Sequence, residues 1–209
     1  MSTPHFDERA ATWDDDPAKV ERATSVAAVI ADTIDIAPGT SLLEVGAGTG
    51  LVATALRPHV GTVTLSDPSV GMRTVMLGKS ADSEHPLAGA RVVDVDLADQ
   101  STTIPAVADR FDLVVAVLVL HHVPDIDHAL ATLVNHAADG GHVAVVDLET
   151  EDGSFHDSDF DGHHGFDPSD IGGRLTRLGL VDLQIRPAGT VVKDHGEFGL
   201  FIAAGRREI

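Results

Sequence analysis

The chain has 209 residues, no cysteine, a formal net charge of −19 at pH 7 and a pI near 4.7. That length suits one compact domain with a sizeable core, while the missing cysteine excludes disulfides, thiolate metal sites and a cysteine nucleophile. A field of this sign repels polyanions and argues against a nucleic-acid partner, which calls for a basic stripe. Lysine occurs only at Lys19, Lys79 and Lys193, a carboxylate-rich composition that suits solubility, including at high salt. No apolar run approaches the roughly 20 residues of a membrane span, and MSTPHFDERAA lacks the basic-then-apolar layout of a secretory signal. A cytoplasmic protein without a membrane span is expected.

Pro17 to Asp35 carries Val20, Ala23, Val26, Ala27, Ile30 and Ile34 at helical spacing and is closed by Pro38 and Gly39, which predicts an amphipathic helix. Apolar strands are expected at Ser41–Val45, Val63–Ser66, Arg91–Val95 and Phe111–Leu118, with a short helix from Leu51 to Leu56 after the first and room for crossover helices after the others. A helix Ile126–Ala138, a Gly140-Gly141 turn and a fifth strand His142–Leu148 follow. Pro168–Leu178 reads as a further helix, and Val181–Arg186 and Phe198–Ala204 as two closing strands joined by a loop through Pro187 and Gly189. Strands alternating with helices imply a parallel sheet.

The stretch Leu42 to Gly50, LLEVGAGTG, carries the most chemistry. An apolar strand that ends in glycines lets the backbone approach a ligand closely, and the helix after it turns its amides toward that ligand. The dinucleotide fingerprint GxGxxG would need its third glycine at Leu51, whereas here Glu44, Gly46, Gly48 and Gly50 spell ExGxGxG, with Ala47 and Thr49 between the glycines. This pattern resembles the first motif of the class I S-adenosylmethionine (SAM)-dependent methyltransferases. The resemblance runs from Phe6 to about Ala204. It implies a Rossmann-like, doubly wound, seven-stranded, mostly parallel α/β sheet of order 3-2-1-4-5-7-6 with the last strand antiparallel.

In a doubly wound sheet the ligand lies outside the carboxyl ends of the strands. Asp67, 17 residues beyond Gly50 in SDPSVGM, stands after the second strand, where a carboxylate can accept hydrogen bonds from both ribose hydroxyls; Pro68 and Ser69 complete that turn. Read alone, Asp67 would also suit a turn before proline. The resemblance places Met72 against adenine, a position a core methionine would fill equally well. It places Asp96 and Leu97, in VVDVDLAD, at the adenine amino group and ring nitrogen, with Asp94 as the competitor because a one-residue slip swaps the faces of a strand. Leu118 and His121, in LVLHHVPD, fall where the family passes the sulfonium. His121 and His122 could equally be satisfied polar residues at a strand end, and His122 is a candidate catalytic group. Trp13, the only tryptophan, and Phe6 lie where the family folds a lid over the cofactor; packing of the first helix onto the sheet would use them as well.

Asp147 to Asp167, DLETEDGSFHDSDFDGHHGFD, follows the fifth strand and is expected to overhang the pocket and select substrate. His163 or His164 is the candidate general base. His156, His163 and His164 with Asp157, Asp159, Asp161 and Asp167 match no zinc spacing, and adjacent residues seldom ligate one ion, so no metal is expected. The expected organisation is a single domain over residues 1–209, with a lid and helix in 1–38, a cofactor-binding core in 39–149, and a substrate-side loop, helix and closing strands in 150–209. The implied activity is methyl transfer from SAM to a small-molecule acceptor, leaving S-adenosylhomocysteine, by a monomer or homodimer. A non-catalytic SAM-binding module and a dinucleotide-dependent oxidoreductase are the competing readings, the latter disfavoured by the glycine spacing.

Overall fold

The computed structural model describes residues 3–98, 110–156, 160–194 and 196–208. Helix α1 (Thr3–Arg9) and a 3-10 segment (Ala10–Asp15) lead into α2 (Pro17–Thr33), which starts where its sequence says it should. Pro17 needs no amide partner in the first turn, and the Asp16 side chain accepts from the Ala18 amide at 3.0 Å. Then follow β1 (Leu42–Val45), α3 (Leu51–Leu56), β2 (Val63–Ser66), α4 (Val70–Ala81), β3 (Arg91–Val93) and β4 (Phe111–Val117). The chain closes with α5 (Ile126–His136), β5 (Ala137–Leu148), α6 (Pro168–Arg177), β6 (Leu180–Lys193) and β7 (Gly196–Arg207).

The strands form a seven-stranded sheet in the order β3-β2-β1-β4-β5-β7-β6. β1 to β5 pair in parallel, and β7 runs antiparallel to both β5 and β6. The order and the reversed last strand are those expected. Both faces are covered, and the period of two in each strand decides which core a side chain enters. Leu42, Leu113, Val115, Ala144 and Val146 join α2 and α3 on one side. Leu43, Val45, Val114, Val143 and Val145 meet α5 and α6 on the other. Each fully buried Leu or Val contributes about 1.5–3 kcal/mol of apolar burial, so the central strands β1, β4 and β5 are the most firmly held part of the frame.

β7 runs past its expected bounds at both ends, as Gly196–Arg207, and three further boundaries differ in ways that bear on the sheet. β3 stops at Val93 instead of Val95, leaving Asp94 to Asp96 in open chain at the sheet edge. β5 starts at Ala137 rather than His142: the helix ends at His136, and Gly140-Gly141 lies inside the strand as an irregularity, not a turn before it. Gly140 takes the left-handed φ of +81, and a Cβ on Gly141 would lie 2.8 Å from the Phe111 carbonyl oxygen, so the first glycine serves the bend and the second the close approach. β6 also runs through Pro187 and Gly189, where a loop is expected. Because β6 is an edge strand, the missing proline N–H is tolerated, and Gly189 at φ +110 absorbs a shift in register. No helix among the described residues is long and apolar enough to cross a membrane.

Candidate cofactor and acceptor site

A cavity of about 720 Å³ opens at the carboxyl ends of β1 to β5, within the 300–1,000 Å³ usual for small-molecule sites. Its floor is the turn after β1, in which Gly46, Gly48 and Gly50 have φ of +67, +57 and +81. The three are needed for different reasons. A Cβ on Gly46 would run into the Val119 side chain, and one on Gly50 would press on Leu87 at 3.0 Å, so these two serve packing. A Cβ on Gly48 meets nothing within 4 Å, so its bare backbone leaves open space beside the turn.

Glu44 lies 2 % exposed under this turn, and its Oε2 accepts from the Ala53 amide of α3 at 2.9 Å. It therefore ties the turn to the helix behind it, and burial pushes its carboxyl up to about 8. Ala47 and Thr49 line the cavity with the glycines, and the Thr49 hydroxyl is bonded to Asp14 Oδ1 at 2.5 Å.

Asp67 caps β2. Its Oδ2 accepts from the Gly48 amide at 2.8 Å and its Oδ1 from the Ser69 amide at 2.9 Å. Burial raises its pKa above the ordinary carboxylate value. A carboxylate offers about four acceptor positions, so two remain for a ligand's hydroxyls. Pro68 and Ser69 line the cavity beside it; Ser69 also caps α4, accepting from Met72 N at 3.1 Å, and Met72 is buried along the same wall. Asp96 and Leu97 line the cavity, whereas Asp94 is two-thirds exposed and pairs with Arg73 at 2.9 Å.

The N-terminal segment is clipped across this end. Asp7 Oδ1 accepts from Ser69 Oγ at 2.5 Å and from the Gly71 amide at 2.8 Å, and Lys79 pairs with Asp14 at 2.6 Å. Phe6 and Trp13 meet edge to face at 6.0 Å and both line the cavity, with Lys19 Nζ 4.4 Å from the indole centroid. The pinning contacts had no sequence signal, because acids are abundant in this chain.

The opposite end follows β4. Leu118, which lines the cavity, has φ +54, a conformation costly for a leucine, and the chain then turns through the 3-10 segment Leu120–His122. His121 is 2 % exposed, and its Nδ1 lies 2.6 Å from Oδ1 of Asp147, itself fully buried at the end of β5. Asp147 also accepts from the amides of Leu120 and Leu148 at 2.9 and 2.8 Å. His122 packs against His121 with ring centroids 4.1 Å apart, and His156 comes in from the loop after β5, 5.1 Å from His121 and 5.4 Å from His122. Burial pushes His122 down to about 2 and His156 down to about 4, so both rings stay neutral. Phe6 meets His122 at 5.5 Å, and Phe160 stacks on His156 at 3.7 Å.

The fold takes the two expected bases elsewhere. The loop's return arm is clipped beside β5 by the Glu149–Phe166 bridge and by Thr150 N to Phe166 O at 3.0 Å and Glu151 N to His164 O at 3.0 Å. His163 Nε2 is bonded to the Val123 carbonyl at 3.0 Å, and His164 is half-exposed near Glu151. Neither is among the described residues that line the cavity. His122 lines it, together with His121 and His156. Asp157 and Asp159 of the same loop lie outside the described residues. Asp147 and His156 are the residues that sequence reasoning did not assign to this wall: the first reads as a strand residue, and the second was grouped with His163 and His164.

A methyltransferase-domain model matches residues 8–185. Fumosorinone synthetase of Cordyceps fumosorosea is 32% identical over 168 residues, 76% of this chain but only 4% of that protein, so the chain spans a small fraction of the curated relative it matches. Among solved structures, the methyltransferase in complex with the Trm112 methyltransferase activator of Haloferax volcanii has a TM-score of 0.74 at 16% identity, covering 98% of both chains. Magnesium protoporphyrin IX methyltransferase of Synechocystis PCC 6803 with bound SAM has a TM-score of 0.63 at 18% identity, covering 91% of this chain and 80% of that one. At these identities the solved structures speak to the fold alone. With the glycine turn, the strand order and a family match over most of its length, the chain belongs to the methyltransferase-domain family.

Proposed function

We propose that the protein binds SAM across the ends of β1 to β3 and transfers its methyl group to a small-molecule acceptor held between the N-terminal segment and the loop after β5. The observation that carries this reading is one continuous cavity with two unlike ends: open backbone and carboxylates at one, neutral imidazoles and aromatic rings at the other. The residues present fit the cofactor. The bare face of Gly48 leaves room for it, and the two spare acceptor positions of Asp67 suit a ribose diol. Met72 and Leu97 offer apolar walls for an adenine ring, with Asp96 beside them for its amino group. A non-catalytic SAM-binding module would have no need of the second end.

When bound, SAM supplies a methyl on a sulfonium whose departure as a neutral thioether drives an in-line displacement. The chain's part is to position and to exclude water. Alignment of this kind supplies roughly 7–11 kcal/mol in the best intramolecular cases, so no strong acid or base is required. Phe6 and Trp13 cover the cavity, while His121, His122 and His156 form a polar wall able to orient an acceptor O–H or N–H. The chain's charge favours a neutral or cationic acceptor over an anionic one.

Calorimetric titration with SAM and with S-adenosylhomocysteine, alongside Asp67→Ala, tests this reading. Both ligands are expected to bind in the micromolar range and to weaken by about 10- to 100-fold in the variant, as two charge-assisted hydrogen bonds are lost. Absence of binding to either ligand, with stabilisation by NAD or NADP instead, would overturn it. Turnover of anionic acceptors alone would remove the charge preference.

A further inference from the structure

We propose that His121, His122 and His156 form a binding site for one divalent transition-metal ion, of which Zn2+ fits best, at the acceptor end of the cavity. One ring nitrogen from each of the three lies within 4.8 Å of the others, so small ring rotations bring all three to a common ion. The donor set is borderline-soft imidazole throughout, which suits Zn2+ and its first-row neighbours and does not suit Mg2+ or Ca2+.

Two independent observations point to a ligand for these rings. Nδ1 of His122 and Nε2 of His156 are buried and have no hydrogen-bond partner among the described residues, although buried polar atoms are almost always satisfied. The third ring is already prepared. Asp147, fully buried and tied down by the Leu120 and Leu148 amides, is placed to accept a hydrogen bond from Nδ1–H of His121 at 2.6 Å, the tautomer in which Nε2 carries the lone pair for an ion. A carboxylate behind a histidine is the arrangement that orients metal-bound imidazoles and raises their basicity.

Adjacent residues seldom share an ion in extended chain, where successive side chains diverge. Here the 3-10 turn Leu120–His122 carries both rings to one side, with centroids 4.1 Å apart. The expectation that no metal is bound rested on His156, His163 and His164; the fold separates that set and gives His156 different partners. All three rings line the cavity, so the ion would keep an open position facing it, as catalytic zinc sites with three protein ligands do. The acceptor's heteroatom would occupy that position, a role that rests on the methyl-transfer reading, whereas the metal site itself does not.

The test is calorimetric titration of chelator-treated full-length protein with ZnCl2, and CoCl2 titration followed in the visible spectrum. One ion per chain is expected, with the intense ligand-field bands of a four- or five-coordinate Co2+ ion. His122→Ala and His156→Ala should each weaken binding at least about 100-fold, and Asp147→Asn about 10- to 100-fold; circular dichroism and thermal unfolding establish that each variant is folded. His163→Ala/His164→Ala should bind as the parent does. No stoichiometric binding, or binding that survives His122→Ala and His156→Ala but is lost with His163→Ala/His164→Ala, overturns the site. SAM titrated into the same samples separates the two readings: metal without SAM binding supports the site and removes methyl transfer, and SAM without metal binding removes the site alone.

Discussion

At one end of the cavity the polar groups are Glu44 near the end of β1, and Asp67 and Asp96 just beyond the ends of β2 and β3. At the other end His121 comes from beyond β4, Asp147 from the tip of β5, His156 from the loop after it and Phe6 from the first helix. The first end is a property of strand ends, and backbone amides do much of its work, as when the Gly48 amide binds Asp67. The second is a convergence of side chains from four separate segments. Local pattern therefore specifies a binding turn, while the chemistry opposite it depends on long-range packing.

The largest effect that would break this contrast is at Gly46. Gly46→Val puts a branched residue at φ +67 against Val119 and should destabilise the fold by about 3–5 kcal/mol in a urea titration. Gly48→Ala shares the unfavourable φ but has open space, so about 1–2 kcal/mol is expected. Equal costs would mean that Val119 yields.

Glu44 gives the next effect, through pH. Its folded pKa, raised to about 8 from 4.5, means that the folded protein holds the proton more tightly. Stability is then fully present below pH 4.5 and is lost as pH rises through 8. Across that window the parent should lose about 2–4 kcal/mol relative to Glu44→Gln, which keeps an acceptor for the Ala53 amide. Parallel stability–pH curves would refute it.

Smaller effects test the lid and the displaced histidines. Asp14→Ala removes the Thr49 and Lys79 contacts and should weaken SAM binding by about 3- to 10-fold, the worth of one or two partly exposed polar contacts. His164→Ala leaves the nearly buried Glu151 carboxylate without the ring 3.2 Å away and should cost about 1 kcal/mol while leaving SAM affinity unchanged. A large loss of SAM affinity in that variant would return His164 to the cavity.

Periodicity and turn residues located every strand of the sheet, and the family resemblance supplied its order. The errors fell where an edge strand tolerates Pro187 and where Gly140-Gly141 acts as a strand irregularity, two cases in which the partner strand decides what a glycine or proline does. At the site, ExGxGxG, Asp67, and Asp96 with Leu97 were legible because each lies at a strand terminus with a fixed spacing. Asp94 stands as the competitor to Asp96 because the two differ in which side of the sheet edge they take: Asp96 lines the cavity and Asp94 pairs with Arg73.

The sequence by itself determined the alternation of strands and helices, the two-faced core and the glycine turn, because hydrophobic period and allowed φ are local properties of the chain. Only the tertiary structure decided which of the described histidines face the cavity. His164 is carried off by backbone pairing with Glu151 of its own loop and His163 by bonds of its amide and ring to the His121 and Val123 carbonyls, while the side chains of His121, His122 and His156 are gathered by a 3-10 turn and a buried carboxylate 26 residues along the chain from His121. Imidazoles have no periodic signature, so their company is set by packing at long range.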